Sequence, residues 1–182
     1  WQLQCKNLYQ SSNLGALAVR ESVQNSRDAI LQAIKQGKIS RGKIDISWEG
    51  NSLTMEDNGV GMDVETLHTK FLNLGGTTKG GGAGDGSSVG GFGVAKAVIL
   101  GSGETFEIHT RNNYLNSINL GKGTVEEIQP INGTKITVHN VEVGKAHGAD
   151  GKSYKIQDRE RDFEDTLKDY LETSEVENID IS

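Results

Sequence analysis

The sequence predicts an α+β protein, a two-layer sandwich of helices on a mixed, mainly antiparallel sheet. Three observations carry that prediction. A long amphipathic helix near the start runs straight into a hairpin of short alternating strands. A glycine-rich stretch then separates two helical segments, and the second half of the chain is dominated by strand-like runs.

Taking the elements in order, Leu14 to Ile34 reads as the first helix. Ala16, Val19, Val23, Ile30 and Ile34 fall within about 60° of one another at ~100° per residue. Glu21, Asn25 and Asp28 gather on roughly the opposite side, and Gly37 supplies a stop. Lys43 to Trp48 alternates, with Ile44, Ile46 and Trp48 on one face. Glu49 to Ser52 has turn chemistry, and Leu53 to Glu56 completes a hairpin that delivers Asp57 at a strand end. Asp57-Asn58-Gly59-Val60-Gly61 is a tight loop, and Val64 to Leu74 is expected to be helical with Asp63 as its N-cap.

The stretch Gly75 to Gly91 is too long and glycine-rich for a mere connection. Helix is expected again from Gly91 to Leu100. Strands are expected at Thr105 to Thr110, Leu115 to Leu120 and Lys135 to Val138, an exposed loop from Val143 to Ser153, a helix from Asp158 to Leu171 and a last strand from Val176 to Ile181. With 182 residues and no internal repeat or boundary, residues 1–182 read as a single domain. The chain begins with Trp rather than Met, so it is expected to be a piece of a longer protein.

Composition narrows the function classes. A formal net charge of -6 argues against an electrostatic trap for nucleic acid or anionic lipid. The single cysteine, Cys5, has no partner for an internal disulfide and seeds no metal cluster, which fits a reducing compartment. An intracellular location, cytoplasmic or nuclear, is therefore expected. No apolar stretch approaches the ~20 residues that span a bilayer, and no signal-peptide pattern opens the chain, so no membrane partner is expected.

Four motifs carry chemistry. In Glu21-Ser22-Val23-Gln24-Asn25-Ser26-Arg27-Asp28-Ala29, two acids and an amide recur at i, i+4 and i+7 and project from one side of the helix; taken alone, this is also the pattern of a solvated face. Asp57-Asn58-Gly59-Val60-Gly61-Met62 places an acceptor-only carboxylate after a strand, suited to an exocyclic amine, with glycines that let a flat base approach the backbone. The oxygen spacing of a helix-loop-helix calcium site is missing around it. Gly90-Gly91-Phe92-Gly93 precedes an apolar helix, where backbone N–H groups suit phosphate. That stretch has neither the spacing of a P-loop nor the feeding strand of a dinucleotide fold, and Gly75 to Gly86 ahead of it reads as a lid. Last comes Gly133-Thr134-Lys135-Ile136, a Gly-Thr entering a strand.

In this order the four motifs resemble the GHKL superfamily with its Bergerat ATP-binding fold: gyrase B subunits, ninety-kilodalton heat-shock chaperones, MutL proteins, Microrchidia types and sensor histidine kinases. The resemblance runs from Leu14 to Val138. It implies that Asn25 holds a magnesium ion bridging the phosphates of ATP, and that Asp57 accepts from the adenine amine with support from Thr134. Gly59 and Gly61 with Met62 would shape the base pocket, and Asp28 would sit behind it. Thr77 and Lys79 would open an ATP lid spanning about 75–91, while Gly91, Phe92, Gly93 and Val94 would close it over the phosphates; Lys96 is a further candidate for phosphate charge. Glu21 would be the general base that activates water.

Glu21 one turn before Asn25, with no room upstream of Leu14 for a phospho-accepting helical hairpin, points to the hydrolysing branch. The expected activity is slow, magnesium-dependent ATP hydrolysis coupled to lid closure and to dimerisation or an adjacent transducer domain. A client or nucleic acid would be engaged through other parts of the parent chain. A GHKL-type protein kinase and a nucleotide-sensing module with little turnover remain the alternatives. The lid, with Gly80-Gly81-Gly82-Ala83-Gly84-Asp85-Gly86, departs from the family by being richer in glycine.

Overall fold

The computed structural model of the chain describes residues 14–69, 102–141, 145–147, 153–155, 168 and 178–182. Helix α1 spans Leu14–Lys35. Ala18, Val19, Val23, Ile30 and Ala33 are all buried against the sheet, as the 3.6-residue period requires. The helix ends in a Schellman closure: Lys38 N–H donates to Ala33 O at 3.0 Å and Gly37 N–H to Ile34 O at 2.9 Å, with Gly37 at φ +67°.

Strands β1 (Gly42–Glu49) and β2 (Ser52–Asp57) form the expected hairpin. Gly50 and Asn51, both at positive φ, make its two-residue turn. Helix α2 (Val64–Leu67) starts at Asp63, whose carboxylate accepts from Thr66 N–H at 2.7 Å; the predicted span beyond residue 69 lies outside the described residues. Strand β3 (Thr105–Thr110) is followed by β4 (Asn113–Asn116), helix α3 (Ser117–Lys122), β5 (Glu126–Glu127) and β6 (Thr134–His139). Then come β7 (Lys145–His147), β8 (Ser153–Lys155) and β9 (Ile179–Ile181).

Two expectations need correction. The strand expected over Leu115–Leu120 ends at Asn116, because the Asn116 side chain accepts from Ile118 N–H at 3.0 Å and Asn119 N–H at 2.9 Å and starts a helix. The loop expected over Val143–Ser153 contains β7, which pairs antiparallel with β8; its polar composition hid that pairing. The helix expected at Gly91–Leu100 lies outside the described residues. So does that at Asp158–Leu171 except Lys168, which is helical.

The main sheet has the order β5-β4-β3-β6-β2-β1-β9. Every neighbouring pair is antiparallel except β1 and β9, so the predicted α+β architecture and mixed sheet hold. One face carries the core and the other is polar. On the polar face Lys135 pairs with Glu56 at 3.5 Å, and the Thr54 and Thr137 hydroxyls meet at 3.2 Å.

Register organises the covered face into rows. Leu53, Val138 and Phe106 stand side by side, and the next row is Met55, Ile136, Ile108 and Leu115. One step further along, the row changes character to Asp57, Thr134, Thr110 and Asn113. All four of these polar residues are buried. A row of acid, two hydroxyls and an amide at the end of an apolar face is the floor of a site.

Candidate functional site

A cavity of about 460 Å³ opens between α1 and this end of the sheet. Asp57 and Thr134 of the polar row line it, with Met55 and Ile136 of the apolar row beside them. Ser22, Asn25, Ser26, Asp28 and Ala29 of α1 form one wall, and Val60, Gly61, Met62 and Asp63 form another. Apolar side chains with a few convergent polar groups are the usual lining of a small-molecule site.

Asp57 is 7% exposed. The Ser26 hydroxyl donates to its Oδ2 at 2.9 Å and Gly59 N–H to its Oδ1 at 2.8 Å. Burial pushes the carboxyl up to about 6, although the N–H of Gly59, the Ser26 hydroxyl and the N–H of Thr134 all favour the charged form. Near neutral pH the group is therefore mostly an anion, able to accept and not to donate.

Thr134 is fixed by its neighbour. Thr110 Oγ1 accepts from Met62 N–H at 2.8 Å and donates to Gly133 O at 3.0 Å. A hydroxyl has one proton, so the proton in the 3.0 Å contact between Thr110 Oγ1 and Thr134 Oγ1 comes from Thr134. Thr134 then turns lone pairs toward the cavity. Asp57 and Thr134, adjacent on one row, form a pair of acceptors.

The loop after β2 is held from several sides. Arg111 Nε donates to Val60 O at 3.0 Å, Asn113 Nδ2 to Met62 O at 3.1 Å, and Val60 N–H to Ala29 O at 3.2 Å. Two glycines make the close approach possible. A Cβ on Gly59 would lie 2.7 Å from the Ala29 carbonyl carbon, and one on Gly133, at φ +76°, would lie 1.9 Å from Asp57 O.

The structure brings Asn25, Asp28, Asp57, Gly61, Met62 and Thr134 to one cavity. Gly59 serves it from behind by packing on α1. Glu21 is half-buried one turn before Asn25 and is not among the cavity's lining residues. Thr77, Lys79, Gly91, Phe92, Gly93, Val94 and Lys96 lie outside the described residues.

Sequence reasoning missed Ser22, Ser26, Thr110, Arg111 and Asn113. The serines had a usable signal, since each occupies a place in the buried stripe of α1 where an apolar residue is expected. Thr110 and Asn113 had none, because only sheet register puts them in one row with Asp57, and Arg111 had none, because only the fold brings its Nε to Val60 O.

Asn25 offers an amide oxygen, a hard donor of the kind magnesium takes alongside waters and phosphates. Among the described residues no three His, Cys, Asp or Glu side chains cluster, so the donor set fits an ion shared with a phosphate ligand rather than one caged by protein.

A helix laid over a mainly antiparallel sheet, with a buried acid and a threonine at the sheet end beneath it, defines an α+β domain with a ligand cavity between its two layers. Residues 12–152 match the family model described as histidine kinase-, DNA gyrase B-, and HSP90-like ATPase. The chain belongs to that family, and ATP binding is the property that membership supports. No curated protein matches the chain. Among the described residues, no helix is long and apolar enough to cross a membrane.

Proposed function

We propose that residues 1–182 act as one domain that binds magnesium-ATP in this cavity and hydrolyses it slowly. The observation that carries the reading is the acceptor pair of Asp57 and Thr134 on the cavity floor. An adenine amine has two N–H groups, and two adjacent acceptors suit it. Gly61 and Met62, which line the cavity with Asp28, would border the base.

Asn25 would hold magnesium, which when bound neutralises phosphate charge and aligns the phosphates. Glu21 would orient and deprotonate the attacking water. Thr77, Lys79 and the stretch Gly91 to Val94 would enclose the phosphates as the lid. Closure would then prepare a surface for a second copy or a neighbouring domain, and hydrolysis would release it. Turnover by the isolated chain is accordingly slow, because the closed state is sparsely populated without its partner. The setting expected for this work is intracellular.

Calorimetric titration of magnesium with a non-hydrolysable ATP analogue tests the binding step. The wild type is expected to bind and Asp57→Asn to lose most of that affinity; equal affinities remove Asp57 from the base site. Glu21→Ala is expected to bind ATP normally and release no phosphate. Loss of both together would take the base role from Glu21.

A further inference from the structure

We propose that the Ser22 hydroxyl reads the base, donating to the ring nitrogen beside the amine either directly or across one buried water. This rests on the reading that the cavity takes an adenine nucleotide.

Ser22 is 4% exposed, lines the cavity, and its Oγ has no hydrogen-bond partner among the described residues. Buried hydroxyls are nearly always paired, and leaving one unpaired costs stability. The neighbouring positions on the buried stripe of α1 are Val19 and Val23, so an apolar residue would suit packing better. A hydroxyl there serves packing poorly and a ligand well.

Its placement says which part of a ligand. Ser22 precedes Ser26 by one helical turn and shares its face. Ser26 is hydrogen-bonded to Asp57, and Ser22, one turn earlier on the same face, lines the same cavity as Asp57 and Thr134. Of the three hydroxyls Ser22, Ser26 and Thr134, the protons of the last two are committed to Asp57 and Thr110. Ser22 alone of the three has a proton to give. A base whose amine meets the acceptor pair carries ring nitrogens beside that amine, which are acceptors and need a donor. Ser22 supplies it where a site of acceptors only would not. A base with C–H at that position forfeits the bond.

The test is calorimetry on the full chain with magnesium and non-hydrolysable ATP, comparing wild type, Ser22→Ala and Asp57→Asn. Triphosphates carrying C–H in place of either ring nitrogen flanking the amine are titrated in parallel. Ser22→Ala is expected to weaken ATP binding about three- to tenfold, the worth of one neutral hydrogen bond. Its nucleotide-free melting temperature should be unchanged or higher, because an unpaired buried hydroxyl is gone. The wild type should lose a similar factor on one of the two C–H analogues, for which Ser22→Ala shows no further loss.

Full ATP affinity in Ser22→Ala overturns the proposal while leaving the nucleotide site standing. So does an equal loss by that variant on ATP and both analogues, or a loss accompanied by a lower nucleotide-free melting temperature. Failure of the wild type itself to bind removes the nucleotide reading and this proposal with it.

Discussion

Replacing Asp57 by Asn isolates the energetic cost of the buried acid. The carboxyl is raised from 3.8 to about 6 chiefly by burial, and the group is 7% exposed, so solvent screening is slight. Well below 3.8 it is protonated in both folded and unfolded chains and gives no pH dependence. From 3.8 to about 6 the folded chain keeps a proton that the unfolded chain has released. The unfolded state then binds fewer protons, and folding stability falls as pH rises through that window. Above it both states are ionised and the whole cost is present. A shift of about two units corresponds to about 3 kcal/mol.

The amide cannot ionise. It keeps an oxygen for Gly59 N–H, and its NH₂ meets the Ser26 hydroxyl, which rotates to accept. Whatever constant the exchange adds, the stability of Asp57→Asn relative to wild type should rise by about 2 kcal/mol between about pH 4 and pH 7. Urea denaturation of both proteins across that range, without nucleotide, measures it. A difference that stays flat, or falls with pH, refutes the claim that desolvation dominates this carboxylate.

Two further substitutions test the glycine packed on Asp57 and the cap of α3. Gly133→Ala places a Cβ 1.9 Å from the Asp57 carbonyl oxygen at φ +76°, and should cost more than about 2 kcal/mol; a thermal melt within a degree or two of wild type would contradict it. Asn116→Ala removes the side chain that receives two N–H groups at the start of α3 and should cost about 1 kcal/mol in denaturant titration, with Asn116→Asp retaining most of it.

Periodicity makes the first helix, the hairpin and the strand entering at Thr134 legible, because each has one face in the core and one in water. The N-cap at Asp63 and the stop at Gly37 are legible from local chemistry. The site is half legible. Asp57, Gly61 and Thr134 belong to motifs that signal a bend or a strand entry, whereas Thr110 and Asn113 are ordinary polar residues until register sets them in line with Asp57. Asn116 looks like one more strand residue, since a cap differs from it only in the path the chain takes afterwards. Ser22 and Ser26 stay hidden when the acidic side of α1 is weighed and the polar interruptions of its apolar stripe are not.

Those interruptions give the site its logic. A buried acid raised toward neutrality, a hydroxyl without a partner among the described residues, and glycines at positions where a Cβ would strike backbone each work against the stability of the unliganded fold. An apolar last row under an apolar helix would pack better and bind nothing polar. The rows behind it, Met55 with Ile136 and Leu53 with Val138, provide the burial that offsets the cost and hold Asp57 and Thr134 in register. A ligand that gives N–H groups to the acceptors and takes a hydrogen bond from Ser22 would convert the first two penalties into binding free energy. On this account, Ser22→Ala should lower nucleotide affinity without lowering stability, and Asp57→Asn should lower affinity while gaining stability relative to wild type as pH rises toward neutrality. Substitutions in the rows behind should lower both.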